Sequence, residues 1–218
     1  MTDLALPFPV LPFPAILRRA RPFELRIDVE RPAEDLEREL DELQRRIGRR
    51  GDPLHGLPPL ALGLPGFVLR HREAGGEHYV YVEDAVAGRL AGYTVFNRVP
   101  EVGREAGRAG PWLRAPHSKY RAAYQRRGIA TAVYRWWLDG GRCLISGARQ
   151  SAGAHALWQA LAARYPLIYV EVGARSLRCL GEEVDARRRE DLSTRMILLG
   201  PGWNLARLAG CAGMHRQA

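Results

Sequence analysis

Lysine is almost missing from this 218-residue chain: Lys119 is the only one among 33 lysine and arginine residues. Cysteine is sparse too, with Cys143, Cys179 and Cys211 far apart and odd in number. That set offers neither a disulfide framework nor metal-ligand spacing, and it suits a reducing cytoplasm, the location expected. No stretch approaches 18 uninterrupted apolar residues, so no membrane span and no membrane partner is expected. The apolar N-terminus is broken by four prolines and lacks a leading positive region, so it does not read as a secretory signal. Gly-x-Ser-x-Gly, a Walker motif, Cys-x-x-Cys and His-Glu-x-x-His are all absent. Hydrolase, nucleotidase and zinc readings therefore lack support, and no metal is expected.

What is present is ordinary in bulk and unusual in charge. Hydrophobic content of 46% and charged content of 26% are those of a globular protein. The formal net charge is +9 and the pI near 10.1, carried almost wholly by arginine. Such a balance favours an anionic partner, either nucleic acid or a phosphate-rich cofactor. An arginine-biased surface with no such partner would give the same numbers.

Residues 1–22 repeat a Leu-Pro-Phe-Pro unit and read as an extended arm, because each proline fixes its own backbone and extends its predecessor. Packed on the domain or swapped into a homodimer, the arm would hide its Phe and Leu side chains from water. A single domain is expected over 23–200, with a tail at 201–218. Phe23 to Val29 alternates as a half-buried strand. After Pro32 a helix is expected, with Leu36, Leu40, Leu43 and Ile47 on one face, acids first and arginines last, stopping at Gly48. Residues 49–65, rich in Gly, Pro and Leu, read as a loop that covers something. Strands are expected over 66–72, 78–83 and 89–97, the first two joined by the turn Glu73-Ala74-Gly75-Gly76-Glu77. Residues 99–111 read as a connection. Trp112 to Tyr120 reads as a strand distorted by a bulge at Pro116.

The most informative stretch is Tyr124 to Gly140. Gln125-Arg126-Arg127-Gly128-Ile129-Ala130 has the chemistry of a phosphate cradle: free N–H groups at a helix start, and a glycine that allows close approach. Ile129, Val133, Trp136 and Trp137 then fall on one buried helix face. A strand follows at 142–146, and Ser151 caps a helix with Ala154, Leu157, Trp158 and Leu161 inward. Further strands are expected at 166–172 and 195–199, separated by an Arg- and Glu-rich excursion at 173–193. The tail, with Trp203, Leu205 and Leu208, is expected to dock as a short helix.

The string Gln125-Arg126-Arg127-Gly128-Ile129-Ala130 resembles the Gln/Arg-x-x-Gly-x-Gly/Ala turn of the GNAT N-acetyltransferase superfamily. Ser151-x-x-Ala154-x-x-Leu157-Trp158 is similar to that family's Asn-x-x-Ala-x-x-Leu-Tyr helix. The resemblance implies an α/β (α+β) fold: a mixed, mostly antiparallel central sheet, splayed at a cofactor wedge and flanked by helices. It implies acetyl-CoA or another acyl-CoA as cofactor, held by Gln125, Arg126, Arg127, Gly128, Ile129, Ala130 and Ser151. It further implies acyl transfer to an amine, small or macromolecular, by direct attack. Such a reaction needs a base for the amine and donors for developing charge. The chain departs from the pattern at Trp158, where the family has a tyrosine acid, and at Ser151, where it has an asparagine. No glutamate lies on the strand before the turn; His117 does, and it is the candidate base or substrate-orienting group, with Tyr120 the second catalytic candidate. Tyr124 and Tyr165 lie near the motifs, His155 reads as a helix-surface residue, and Cys143 as an inert core thiol. The competing reading is a non-catalytic nucleic-acid-binding or protein-interaction module on the same fold.

Overall fold

Acids in the first turn and arginines in the last, with leucines at helical spacing, produce a helix at Ala33–Gly48 (α1). The structure, a computed structural model, describes residues 33–99, 112–173, 177–212 and 215–216. The N-terminal arm, the strand expected at 23–29 and nearly all of the 99–111 connection lie outside these residues. Leu40 of α1 is fully buried, in a cluster with Leu54, Tyr81, Leu90, Tyr93 and Val95. A side chain of this size, so buried, contributes about 1.5–3 kcal/mol.

Period-two patterning gives Phe67–Ala74 (β1), Glu77–Asp84 (β2), Arg89–Asn97 (β3) and Leu113–Tyr120 (β4), each antiparallel to the next. Gly75 and Gly76, both at positive φ, close the first hairpin as two-residue turn chemistry requires. The 49–65 loop does cover something. Leu60, Leu62 and Leu64 pack on the core, and the Leu60 N–H donates to the Leu69 carbonyl of β1. After β4 come Ile129–Asp139 (α2), Cys143–Ile145 (β5), Ala152–Ala162 (α3) and Leu167–Val172 (β6). Leu177–Gly181 (β7), Ala186–Arg189 (α4), Thr194–Leu199 (β8), Leu205–Ala212 (α5) and His215–Arg216 (β9) complete the described chain.

The strands form one sheet in the order β1-β2-β3-β4-β5-β8-β6-β7-β9. Neighbours are antiparallel except β4–β5 and β7–β9, which are parallel. Helices α2 and α3 bury Val133, Trp137, Leu138, Trp158 and Leu161 on one face. On the other, the tail docks Trp203 and, from α5, Leu208 in one cluster with Cys143, Ile145 and Val170. The mixed, mostly antiparallel sheet flanked by helices is thus the one expected.

Two expectations are corrected. The 173–193 excursion, in which no element was expected, contains β7, which zips onto β6 through Val170↔Cys179 and Val172↔Leu177, and the short α4. Its Arg and Glu content masked the strand, because only Leu177 and Cys179 of β7 are buried. Nor does Pro116 produce a bulge. The β3–β4 register runs unbroken from Gly92↔Tyr120 to Asn97↔Ala115, through Phe96↔Pro116. The Arg121 N–H donates to the Ala91 carbonyl at 3.0 Å, continuing that register. Antiparallel alternation then turns the main-chain groups of 119, 117 and 115 toward β3, and those of 120, 118 and 116 away from it. Pro116 therefore lacks its N–H on the far edge, where the ladder to β3 loses nothing.

Candidate functional site: a splayed strand edge beneath two helix N-termini

That far edge is where the sheet opens. Strand β4 pairs with β5 only at Leu113↔Cys143 and Arg114↔Leu144, after which the two parallel strands part. The outward main-chain groups of Pro116, Ser118 and Tyr120 find no strand partner among the described residues. One is spoken for: the Gln125 side-chain amide donates to the Tyr120 carbonyl at 3.0 Å. Because β4 and β5 run in the same direction, the helices that follow them, α2 and α3, begin at the same end of the wedge. Carboxyl ends of parallel strands are where open sheets hold ligands.

The turn before α2 has the glycine-led helix start read from the sequence. A 3₁₀ turn at Ala122–Tyr124 leads to Arg126 at φ 58° and Gly128 at φ 75°. The first backbone bond of α2 is Ala132 N–H to the Gly128 carbonyl, and no side chain caps the helix. The N–H groups of Ile129, Ala130 and Thr131 are therefore free of helical acceptors and directed outward, a ready anion site. A Cβ on Gly128 would meet open space, so the glycine is there for its left-handed backbone and for access. Arg126, Arg127 and Gly128 are exposed, while Ile129 is buried. The Arg127 guanidinium stacks over Phe67 and Tyr124, at 5.1 and 5.4 Å from their ring centres. Its charge is thereby fixed beside the loop. At the second helix Ser151 Oγ accepts the Ala154 N–H at 3.2 Å, as a cap should. Next to it, Gln150 Oε1 is buried without a hydrogen-bond partner among the described residues.

The two catalytic candidates are not brought together, because they alternate on β4. His117 is half-buried opposite Val95, on the face that carries Lys119. Lys119 itself is held by Glu39 of α1 at 2.6 and 2.9 Å and lies over the Tyr93 ring. Tyr120 faces the other way, under α2, and is 8% exposed. Its hydroxyl meets Thr94 Oγ1 at 2.9 Å; Thr94 Oγ1 meets Ser118 Oγ at 2.8 Å; Ser118 Oγ donates to the Tyr134 hydroxyl at 3.3 Å. Burial pushes the Tyr120 phenol far up and that of Tyr134 up to about 12. Both keep their protons across the working range.

Tyr134, Ser118 and Thr94 were not singled out from sequence. A signal existed: Tyr134 lies three residues before Trp137 on the buried arc of α2, and Thr94 is a lone polar residue in an apolar strand. Other sequence candidates fall elsewhere. Trp158 is core, 3% exposed. The Tyr165 hydroxyl donates to Asp139 at 2.6 Å, at the end of α2 remote from the cradle, roughly 16 Å along the helix axis. His155 is exposed on α3. Burial pushes the Cys143 thiol up to about 12, which makes it inert. Among the described residues no group of three His, Cys, Asp or Glu side chains could hold a metal.

No protein-family model matches the chain, and no curated protein matches it. Among solved structures it is similar to a spermidine N-acetyltransferase chimera from Vibrio cholerae and hSSAT, at 14% identity and TM-score 0.34, over 78% of this chain and 92% of that one. It is similar to a GCN5-related N-acetyltransferase from Kribbella flavida, at 15% identity and TM-score 0.31, over 58% and 68% of the two chains. A cAMP-binding acyltransferase from Mycobacterium smegmatis matches at 10% identity and TM-score 0.40, over 81% of this chain and 58% of that one. These neighbours are acetyltransferases and an acyltransferase.

Proposed function

We propose that this chain is an acyl-CoA-dependent N-acyltransferase acting on an amine, with acetyl-CoA the expected donor. The observation that carries the reading is the coincidence of an uncapped, glycine-led helix N-terminus with a strand edge that opens beside it. The N–H groups of Ile129, Ala130 and Thr131, with Arg126 and Arg127, would hold a diphosphate. An amide-bearing arm would add to the outward main-chain groups of Pro116 and Ser118 as a strand adds to an edge, with Gln150 as a buried acceptor on the facing side. The thioester supplies an activated acyl carbon. His117, on the α1 face of the same strand, would take the proton from the incoming amine or orient it. The Gln125 amide holds the cradle to β4 instead of reaching the ligand. Ser151 caps α3 and fixes the opposite wall.

Titration calorimetry with acetyl-CoA tests the reading. Saturable binding is expected, and Gly128→Glu should abolish it, since a side chain in the left-handed region and a carboxylate among the free N–H groups both oppose a diphosphate. Absence of binding in the native chain, or binding indifferent to Gly128→Glu, refutes it.

A further inference from the structure

The four hydroxyls of Thr94, Ser118, Tyr120 and Tyr134 form a linear chain with three contacts. Four hydroxyls bring four protons, each contact uses one, and one O–H is left for an acceptor outside the chain. Three of the four side chains are buried, and only Ser118 is half-exposed. Ser118 also lies in the middle of the stretch of β4 that has lost its β5 partner. The weakest link is its own: 3.3 Å to Tyr134 is long for an O–H···O bond, whereas 2.8 and 2.9 Å are ordinary. Redirecting the Ser118 proton therefore costs little. Once it turns away, Tyr134 donates to Ser118 Oγ in its place, Tyr120 donates to Thr94, and Thr94 donates to Ser118. The serine oxygen then accepts two bonds, which strengthens the one that it donates.

We propose that Ser118 is the hydrogen-bond donor to charge that develops on the reacting end of a ligand in the wedge, and that Tyr134, Thr94 and Tyr120 position and polarise it. The inference rests on the acyl-CoA reading and deepens it: the ligand atom served is the electron-rich sulfur or carbonyl oxygen of the thioester end. No proton leaves the network. Buried phenols that hold their protons are suited to donating hydrogen bonds and unsuited to acting as acids. Charge stabilisation would thus come from the α2 face of β4, while His117 serves the amine from the α1 face. The tyrosine that the related pattern places at Trp158 would not be needed.

Coenzyme A itself is the probe, and no acceptor amine is required. Calorimetry establishes binding, and the ultraviolet absorbance of the thiolate then gives the pKa of the bound thiol as pH is raised. A donor on the thiolate should lower that pKa by about one unit relative to free coenzyme A, the size expected for a hydrogen bond to a charged group. Ser118→Ala should erase the shift, Ser118→Thr should retain it, and Tyr134→Phe should lose part of it. A merely structural serine would not move the pKa of a bound thiol. If Ser118→Ala does not fold, the Tyr134→Phe and Ser118→Thr pair decides. An identical thiol pKa in the native chain and in the folded variants overturns the role of Ser118 and leaves the cofactor assignment standing. Failure of the native chain to bind coenzyme A overturns the acyl-CoA reading and this inference with it.

Discussion

Arg126 holds a left-handed backbone, at φ 58°, where an L side chain is strained by about 1–2 kcal/mol. Glycine would occupy that position at no steric cost, so a strained arginine three residues before the first free N–H group points to a charge that is worth the strain. Arg126→Asn separates the two effects, because asparagine tolerates this region without glycine's entropy cost. The variant should gain up to about 1 kcal/mol in urea denaturation and bind inorganic pyrophosphate more weakly. Equal or lower stability would show that the backbone carries no strain. At this scale the glycine-led turn was legible in the sequence, since its six residues are contiguous and their chemistry is local. Ser118, Thr94 and Tyr134 were not legible as a group, because they come from two strands and a helix and meet only after these pack.

The element that decides the wedge is β4, and its position depends on Gly92 across the ladder. A Cβ at Gly92 would run into the Lys119 carbonyl oxygen and the Tyr120 ring. Gly92→Ala should therefore cost about 1–3 kcal/mol, as overpacking of a close contact does. It should also disturb the Tyr120–Thr94 contact, so a thermal melt and tyrosine fluorescence should change together. A melt within error of the native chain would mean that β3 and β4 separate without penalty. The sequence marks β4 as a strand, but its Pro116 reads there as a bulge that the unbroken register does not contain. The reading failed because a proline declares that an N–H is missing without declaring which neighbour would have received it. Here that neighbour would have been β5, and β5 has left.

Over the whole molecule, the acids of α1 and the basic ends of β3 and β4 attract each other. Glu39 holds Lys119, Glu37 and Asp41 hold the buried Arg121, and Glu37 also reaches Arg89. These pairs set part of the acid content of α1 against the cations at the ends of β3 and β4. Away from the wedge, His71 and His78 stack with ring centres 5.3 Å apart, Nε2 to Nδ1 at 3.1 Å, against Trp136 and Trp137. Burial is the main cause that depresses both imidazoles below the usual value near 6.5; Arg142 acts in the same direction on both, His71 and Arg114 do so on His78, and Glu73 acts against it. The unfolded chain therefore takes up protons first as pH falls. Stability from this pair is complete above pH 6.5 and declines as pH falls below it. Urea midpoints should drop between about pH 6.5 and 5, before the carboxylates titrate, and His78→Asn should flatten that slope. A midpoint constant across this window would contradict the assignment. Among the described residues, no helix is long and apolar enough to cross a membrane.

Sequence by itself determined what is local: the dipole-matched α1, the two-glycine hairpin, the Ser151 cap and the glycine-led start of α2. Each depends on neighbours within a few residues, so its physics is written in the string. Tertiary structure alone decided where β4 and β5 part, which edge Pro116 faces, that a strand at 177–181 lies inside the Arg-rich 173–193 segment, and that four hydroxyls converge with one proton to spare. These are properties of pairing and packing between distant segments. Register and burial, which no short stretch of residues specifies, turn the same serine from a strand residue into the candidate donor of the site.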